Sequence, residues 1–122
     1  MPQTVLIIED DPDIAECLRV ALEHAQFNAR VALTGEEGLS VSLDKDNPPA
    51  AILLDLLLPG MSGIEICRRL RQEGTTKHTP IIIVTAKCTE ADIAAGATVG
   101  ADCFISKPFS VRDVVERVRS LI

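Results

Sequence analysis

Five short apolar runs, VLII (5–8), ARVAL (29–33), AAILL (50–54), IIIV (81–84) and CFI (103–105), recur along the chain with helix-length segments between them. Each run is too continuous for a half-exposed strand, and the set has the pattern of strands covered on both faces of a parallel sheet. The intervening segments carry the other periodicity. Ile14, Leu18, Ala21, Leu22 and Ala25 make one helical stripe, and Val111, Val114, Val115, Val118, Leu121 and Ile122 make another. Thr34 with Glu37, Ser62 with Glu65, Thr89 with Asp92 and Ser110 with Asp113 stand at capping-box spacing and mark helix starts. Strand and helix alternate five times, which predicts right-handed crossovers and an α/β three-layer sandwich: a five-stranded parallel sheet with five helices on its two faces. The helix holding Ala91, Ala94, Ala95 and Ala97 is poor in large side chains and interrupted by Gly96, so it is expected to be the least firmly anchored.

The 122 residues fit one domain, and no repeat, low-complexity tract or Gly/Ser-rich linker divides them, so residues 1–122 read as a single unit. Twelve basic against 18 acidic residues give a net charge of -6 with no basic run, which argues against direct binding of nucleic acid by this segment. The apolar runs fall far short of the ~20 residues that span a bilayer. MPQTVLIIEDD has neither the basic region nor the apolar stretch of a signal peptide, and a cytoplasmic address follows by default. Cys17, Cys67, Cys88 and Cys103 are scattered without a C-x-x-C pair, and only His24 and His78 could assist them, so a zinc site is not expected and small buried hydrophobes are.

In a parallel sheet the residues just past each strand's C-terminal end gather on one edge, where ligands usually bind. That edge presents Glu9, Asp10 and Asp11, then Thr34, Asp55, Thr85 and Lys107-Pro108. Asp11 precedes Pro12 and reads as a helix N-cap, as does Thr34. Glu9, Asp10, Asp55, Thr85 and Lys107 remain as candidates for chemistry. Converging carboxylates repel unless a cation neutralises them, and oxygen-only ligands favour Mg²⁺. Asp55 lies among Leu53, Leu54, Leu56, Leu57 and Leu58, where a lone carboxylate would be poorly tolerated. Taken alone Lys107 is a surface lysine; placed after a buried strand, with Thr85 one strand over, it completes a socket with donors on one side and a metal on the other.

These residues carry a resemblance. The acid pair Glu9-Asp10, the D-x-x-x-P-x-x-x-G run from Asp55 to Gly63, Thr85 in VTA and Lys107-Pro108 in GADCFISKPF resemble, along essentially the whole chain, the receiver domain of two-component response regulators. The resemblance implies a flavodoxin-like sheet of order 2-1-3-4-5, which is also the order quoted for this fold among doubly wound sheets generally. It implies that Asp55 accepts a phosphoryl group from a phosphohistidine on a sensor histidine kinase or histidine phosphotransfer protein. It further implies Mg²⁺ held by Asp10, Asp55 and the main-chain carbonyl of Leu57, with Glu9 acting directly or through water, and phosphoryl oxygens met by Thr85 and Lys107. Thr85 and Phe104 are then the switch pair, and the face of the fourth helix, fifth strand and fifth helix engages an output domain, a partner protein or a second copy in a phosphorylation-dependent dimer. The domain assists its own phosphorylation and dephosphorylation without being an enzyme in the ordinary sense.

Three positions depart from the family's common pattern. Phe104 stands where many relatives have Tyr, and reads equally as a rotating switch or as plain core packing. Leu57 and Lys87 occupy positions that in relatives influence hydrolysis of the phosphoryl bond. A phosphatase with a nucleophilic Asp would carry an acid where Leu57 stands, and a flavin or nucleotide binder would replace EDDPDI with a Gly- or Ser/Thr-rich loop. An interaction module that works without phosphorylation is the stronger rival, and the complete set of site residues argues against it.

Overall fold

The computed structural model describes residues 2–122. Its elements run β1 (Thr4–Ile8), α1 (Pro12–His24), β2 (Asn28–Ala32), α2 (Gly35–Ser42), β3 (Ala51–Leu54), α3 (Gly63–Gln72), β4 (Ile81–Thr85), α4 (Glu90–Thr98), β5 (Cys103–Ser106) and α5 (Val111–Leu121). The strands form one sheet in the order β2-β1-β3-β4-β5, and every neighbouring pair is parallel. Each apolar run is thus a strand, and each helical stripe a helix.

Alternation along the strands divides the core in two. Val5, Ile7, Leu53, Ile82 and Val84 meet Ala15, Leu18 and Leu22 of α1 and Val114, Val115 and Val118 of α5 on one face. Leu6, Ile8, Ile52, Leu54 and Ile81 meet Leu39 of α2 and Ile66, Cys67 and Leu70 of α3 on the other. Strands with apolar side chains on both faces have to be covered on both, which is why β1 from Val5 onward, β3 and β4 are buried.

The edge strands differ from expectation. In β2, Asn28 and Arg30 are exposed, and β5 has no buried residue, because a strand with one neighbour is covered less completely. The fifth helix's stripe is narrower than its sequence suggests: Val111 and Ile122 are exposed and Val114, Val115 and Val118 do the packing. The cysteines also divide. Cys67 is buried, and burial pushes its thiol up to about 11, whereas Cys103 is half-buried and Cys17 and Cys88 are exposed, so the buried-hydrophobe reading fails for those two.

Asp11 caps α1 as expected, accepting Asp13 N at 2.9 Å and Ile14 N at 3.3 Å ahead of Pro12. Only Thr89 and Asp92 close a reciprocal capping box. Thr34 and Ser62 accept Glu37 N and Glu65 N, but no carboxylate returns the contact; Glu65 is drawn instead to Arg68 and Arg69. Ser110 makes no side-chain cap at all. The weak anchoring foreseen for the fourth helix has a structural counterpart, since Gly96 is the one buried residue of α4.

Candidate functional site

At the C-terminal edge of the sheet, β1 delivers Glu9 and Asp10, β3 delivers Asp55, β4 ends in Thr85 and β5 is followed by Lys107. Main-chain bonds continue the register past the strand ends: Glu9 N donates to Ala32 O at 3.1 Å, Asp55 N to Ile8 O at 3.1 Å and Lys107 N to Thr85 O at 2.9 Å. Glu9 and Asp55 are 3% and 4% exposed, while Asp10 faces solvent. Gly63 explains how α3 comes so near. A Cβ there would lie 2.4 Å from Asp55 O and 2.6 Å from Leu56 Cα, and Gly63 N donates to Leu56 O at 3.1 Å.

Lys107 binds the two buried acids together. Its Nζ donates to Glu9 Oε1 at 2.5 Å and to Asp55 Oδ2 at 2.8 Å. The remaining oxygens are held by backbone: Leu57 N donates to Asp55 Oδ1 at 3.0 Å, and Asp11 N to Glu9 Oε2 at 3.2 Å. Thr85 is fully buried, and its Oγ1 accepts Lys87 N at 3.2 Å.

The two acids respond to this arrangement in opposite senses. Burial raises the Glu9 carboxyl above its ordinary range, and Lys107, Asp11 N–H and the Asp55 charge leave that direction unchanged. For Asp55 burial acts the same way but is outweighed by Lys107, then Thr85 and Leu57 N–H, which hold the carboxyl below its ordinary range. Burial works against the Lys107 ammonium, and Asp55 and Glu9 overcome it, so its pKa is raised. Both Asp55 and Lys107 are therefore charged at neutral pH.

Glu9, Asp10 and Asp55 each offer a carboxylate oxygen, and the three atoms lie within 4.8 Å of one another. An all-oxygen anionic set of this span suits a hard divalent cation. The other expected ligand, the Leu57 carbonyl, belongs to a residue whose N–H donates to Asp55 Oδ1 and which is 51% exposed. Phe104 is half-buried in β5, with Cδ2 3.5 Å from where a Cβ on Gly96 would stand, so its ring lies against α4.

Residues 5–119 match the family model described as the response regulator receiver domain. The chain belongs to that family. The receiver domain is 41% identical over 118 residues to the response regulator ArlR of Staphylococcus saprophyticus, a match covering 97% of this chain and 51% of that protein. It thus spans about half the length of the curated relatives it matches. Among solved structures, the receiver domain of the Francisella response regulator 1452 superposes with a TM-score of 0.89 at 29% identity, covering 98% of this chain and 95% of that one. The BeF3-activated receiver domain of DrrB, a Thermotoga maritima protein, superposes with a TM-score of 0.88 at 27% identity, covering 99% and 97%. The flavodoxin-like order foreseen from the sequence is the order found.

Sequence reasoning placed the acids, Thr85 and Lys107 on one edge, and the structure brings them together there. It overlooked that Lys107 is shared between Glu9 and Asp55. Lys87, named from the sequence only for its bearing on hydrolysis, stands in the loop after β4, with Nζ 3.7 Å from Asp92 Oδ1. Nor did sequence reasoning single out Arg71, which organises the opposite edge. Arg71 donates to Gly100 O at 2.9 Å, Thr76 O at 3.1 Å, Thr79 O at 2.6 Å and Asp102 Oδ2 at 2.8 Å. The same Asp102 oxygen accepts Ile81 N at 2.8 Å. In the sequence RRLRQ the third arginine carries no mark that separates it from its solvated neighbours.

Proposed function

We propose that Asp55 is the phosphoacceptor of this receiver domain, taking a phosphoryl group from a phosphohistidine on a sensor histidine kinase or a histidine phosphotransfer protein. Residues 1–122 act as one such domain, at a cytoplasmic address. The observation that carries the reading is a buried Asp55 in contact with Lys107, with carboxylate oxygens of Glu9, Asp10 and Asp55 within 4.8 Å of one another. Glu9, Asp10 and Asp55, with the Leu57 carbonyl, would hold Mg²⁺. Bound there, the ion would offset the charge of the acids and of the incoming phosphoryl oxygens.

The chain's own residues do the remainder. An Asp55 carboxylate oxygen attacks phosphorus as the P–N bond to the donor imidazole breaks, and the nitrogen keeps that electron pair. Lys107, already charged, exchanges its carboxylate contacts for a phosphoryl oxygen, while the Thr85 hydroxyl turns to donate to another. Positioning and charge are most of what phosphoryl transfer needs, so the domain assists both its own phosphorylation and the later loss of phosphate. Movement of Thr85 leaves room for Phe104 and biases the surface of α4, β5 and α5 between two arrangements. That surface meets an output domain, a partner protein or a second copy of the chain. DrrB's receiver domain is described as activated by BeF3, which makes this phosphoryl mimic the natural probe.

Incubation with a small acyl phosphate and Mg²⁺, read by intact mass, tests the proposal. One added phosphoryl group is expected, absent in Asp55→Asn; an unmodified wild-type chain, or equal modification of the variant, would overturn it.

A further inference from the structure

The two ends of α4 are held in different ways. At its start the contacts are internal: Asp92 Oδ2 accepts Thr89 N at 3.1 Å and Thr89 Oγ1 at 2.7 Å, a capping box that shapes the first turn without tying it to another element. Glu90, Ala91, Ile93 and Ala94 are exposed. At its end the contacts reach across the molecule. Cys67 Sγ donates to Val99 O at 3.7 Å and Arg71 Nε to Gly100 O at 2.9 Å, both from α3. Gly100, at φ +100°, turns the chain so closely over Arg71 that a Cβ there would lie 3.0 Å from its Cγ and Nε. The same guanidinium reaches Asp102 Oδ2 at 2.8 Å and, ahead of β4, the carbonyls of Thr76 at 3.1 Å and Thr79 at 2.6 Å. Only 18% of the Arg71 side chain is exposed, so these bonds are shielded from competing water.

We infer that Arg71 pins the C-terminal end of α4, and that the helix is a lever hinged at Gly100 with its Thr89 end free. Nine residues at about 1.5 Å rise give the lever a length of roughly 13 Å. Along it only Gly96 is buried, so little packing resists a swing. The swing has a consequence for the surface. A groove of about 140 Å³ lies between α4 and β5, with Ile93 and Ala97 on one wall and Asp102, Cys103 and Phe104 on the other. A hinge at Gly100 fixes the width of this groove beside Asp102 and varies it beside Ile93, which is 44% exposed. The inference rests on the phosphoacceptor reading for what drives the swing; the place of the hinge is set by the contacts from α3.

Residue-resolved amide hydrogen exchange tests the pin. Ordinary fraying loosens both ends of a helix. A pinned end predicts instead that residues 99–101 exchange at least ten-fold more slowly than residues 93–95. Arg71→Lys keeps the charge but cannot fork, and is expected to speed exchange at 99–101 by ten-fold or more while leaving 93–95 within two-fold. Asp102→Asn keeps an acceptor for Ile81 N and removes the charge facing Arg71; a smaller rise of two- to five-fold is expected at the same amides, and this variant carries the test if the first does not fold. With Mg²⁺ and saturating beryllofluoride, amide shift changes are expected across residues 90–95 and not at 99–101. Equal protection at both ends of wild-type α4, an acceleration in Arg71→Lys that is uniform along all five helices, or beryllofluoride shifts spread evenly over α4 would overturn the inference. If wild type ignores beryllofluoride but keeps its graded protection, the phosphoacceptor reading falls and the pin stands.

Discussion

Lys107 joins Glu9 and Asp55, and the opposed pKa directions of those two acids fix the order in which they take protons. Glu9 should protonate above the ordinary glutamate value and Asp55 below the ordinary aspartate value, which carboxyl ¹³C shifts in metal-free buffer would read directly. The linkage to stability follows with the same signs. The Asp55 contribution is present above its unfolded pKa, near ~3.9, and is lost as pH falls through the lower folded value; the Lys107 contribution is present below ~10.4 and is lost as pH rises through its higher folded value. Glu9 runs the other way, since protonating it relieves a burial penalty. Leu57 is a different kind of residue, exposed at the rim and unable to orient an attacking water. Leu57→Asn is expected to speed loss of phosphate from Asp55 while changing stability by no more than ~0.5 kcal/mol, checked by a phosphate-release time course beside a urea melt. Gly63→Ala would drive a methyl into the Asp55 carbonyl and the Leu56 Cα, backbone atoms that cannot swing aside, and a loss of about 1–3 kcal/mol is expected in the same melt. The acids, Thr85 and Lys107 were legible in the sequence because each sits one or two residues past an apolar run. The close approach of Gly63 to Asp55 and Leu56 was not, nor were the Arg71 bonds to Gly100 and Asp102, because each depends on how the chain folds back on itself, and spacing carries no trace of that.

Among the elements, strand and helix types could be read from periodicity throughout, and the departures occur where a tertiary contact overrides a local one. Glu65 had the spacing to close a capping box, but two arginines one turn on compete for its carboxylate. β2 and β5 read as covered strands, yet each has a single neighbour, and position in the sheet is set by topology, which short apolar runs do not encode. The small residues of α4 gave the correct sense of its thin packing. Gly96 is there for approach rather than freedom: a Cβ would meet Ile83 Cδ1 at 2.9 Å and the Phe104 ring at 3.5 Å. With so little buried, α4 amides are expected to exchange hydrogen by local opening at lower cost than those of α1, α3 and α5; equal protection across the helices would contradict the packing argument.

For the molecule as a whole, the acidic edge and the edge organised by Arg71 lie at opposite ends of the same strands. Mg²⁺ binding only to the folded chain should raise the thermal midpoint, by about 3–6 °C for each kcal/mol of linkage, and the rise should shrink in Asp55→Asn and in acid as the carboxylates protonate. Arg71→Ala removes donors to four carbonyls and Asp102 at once, and is expected to cost about 2–3 kcal/mol in urea unfolding, with little recovery in Arg71→Lys because an ammonium cannot fork across separate acceptors. Arg71 also bears on motion. It fastens the entry of β5 to the entry of β4, whereas the exit of β5 leads into Lys107, so the two strands are hinged at one end and loaded at the other. A rearrangement begun at Asp55 would then have a fulcrum, and small shifts at the loaded end would become a tilt of β5 and the helices beside it instead of a slide along the sheet.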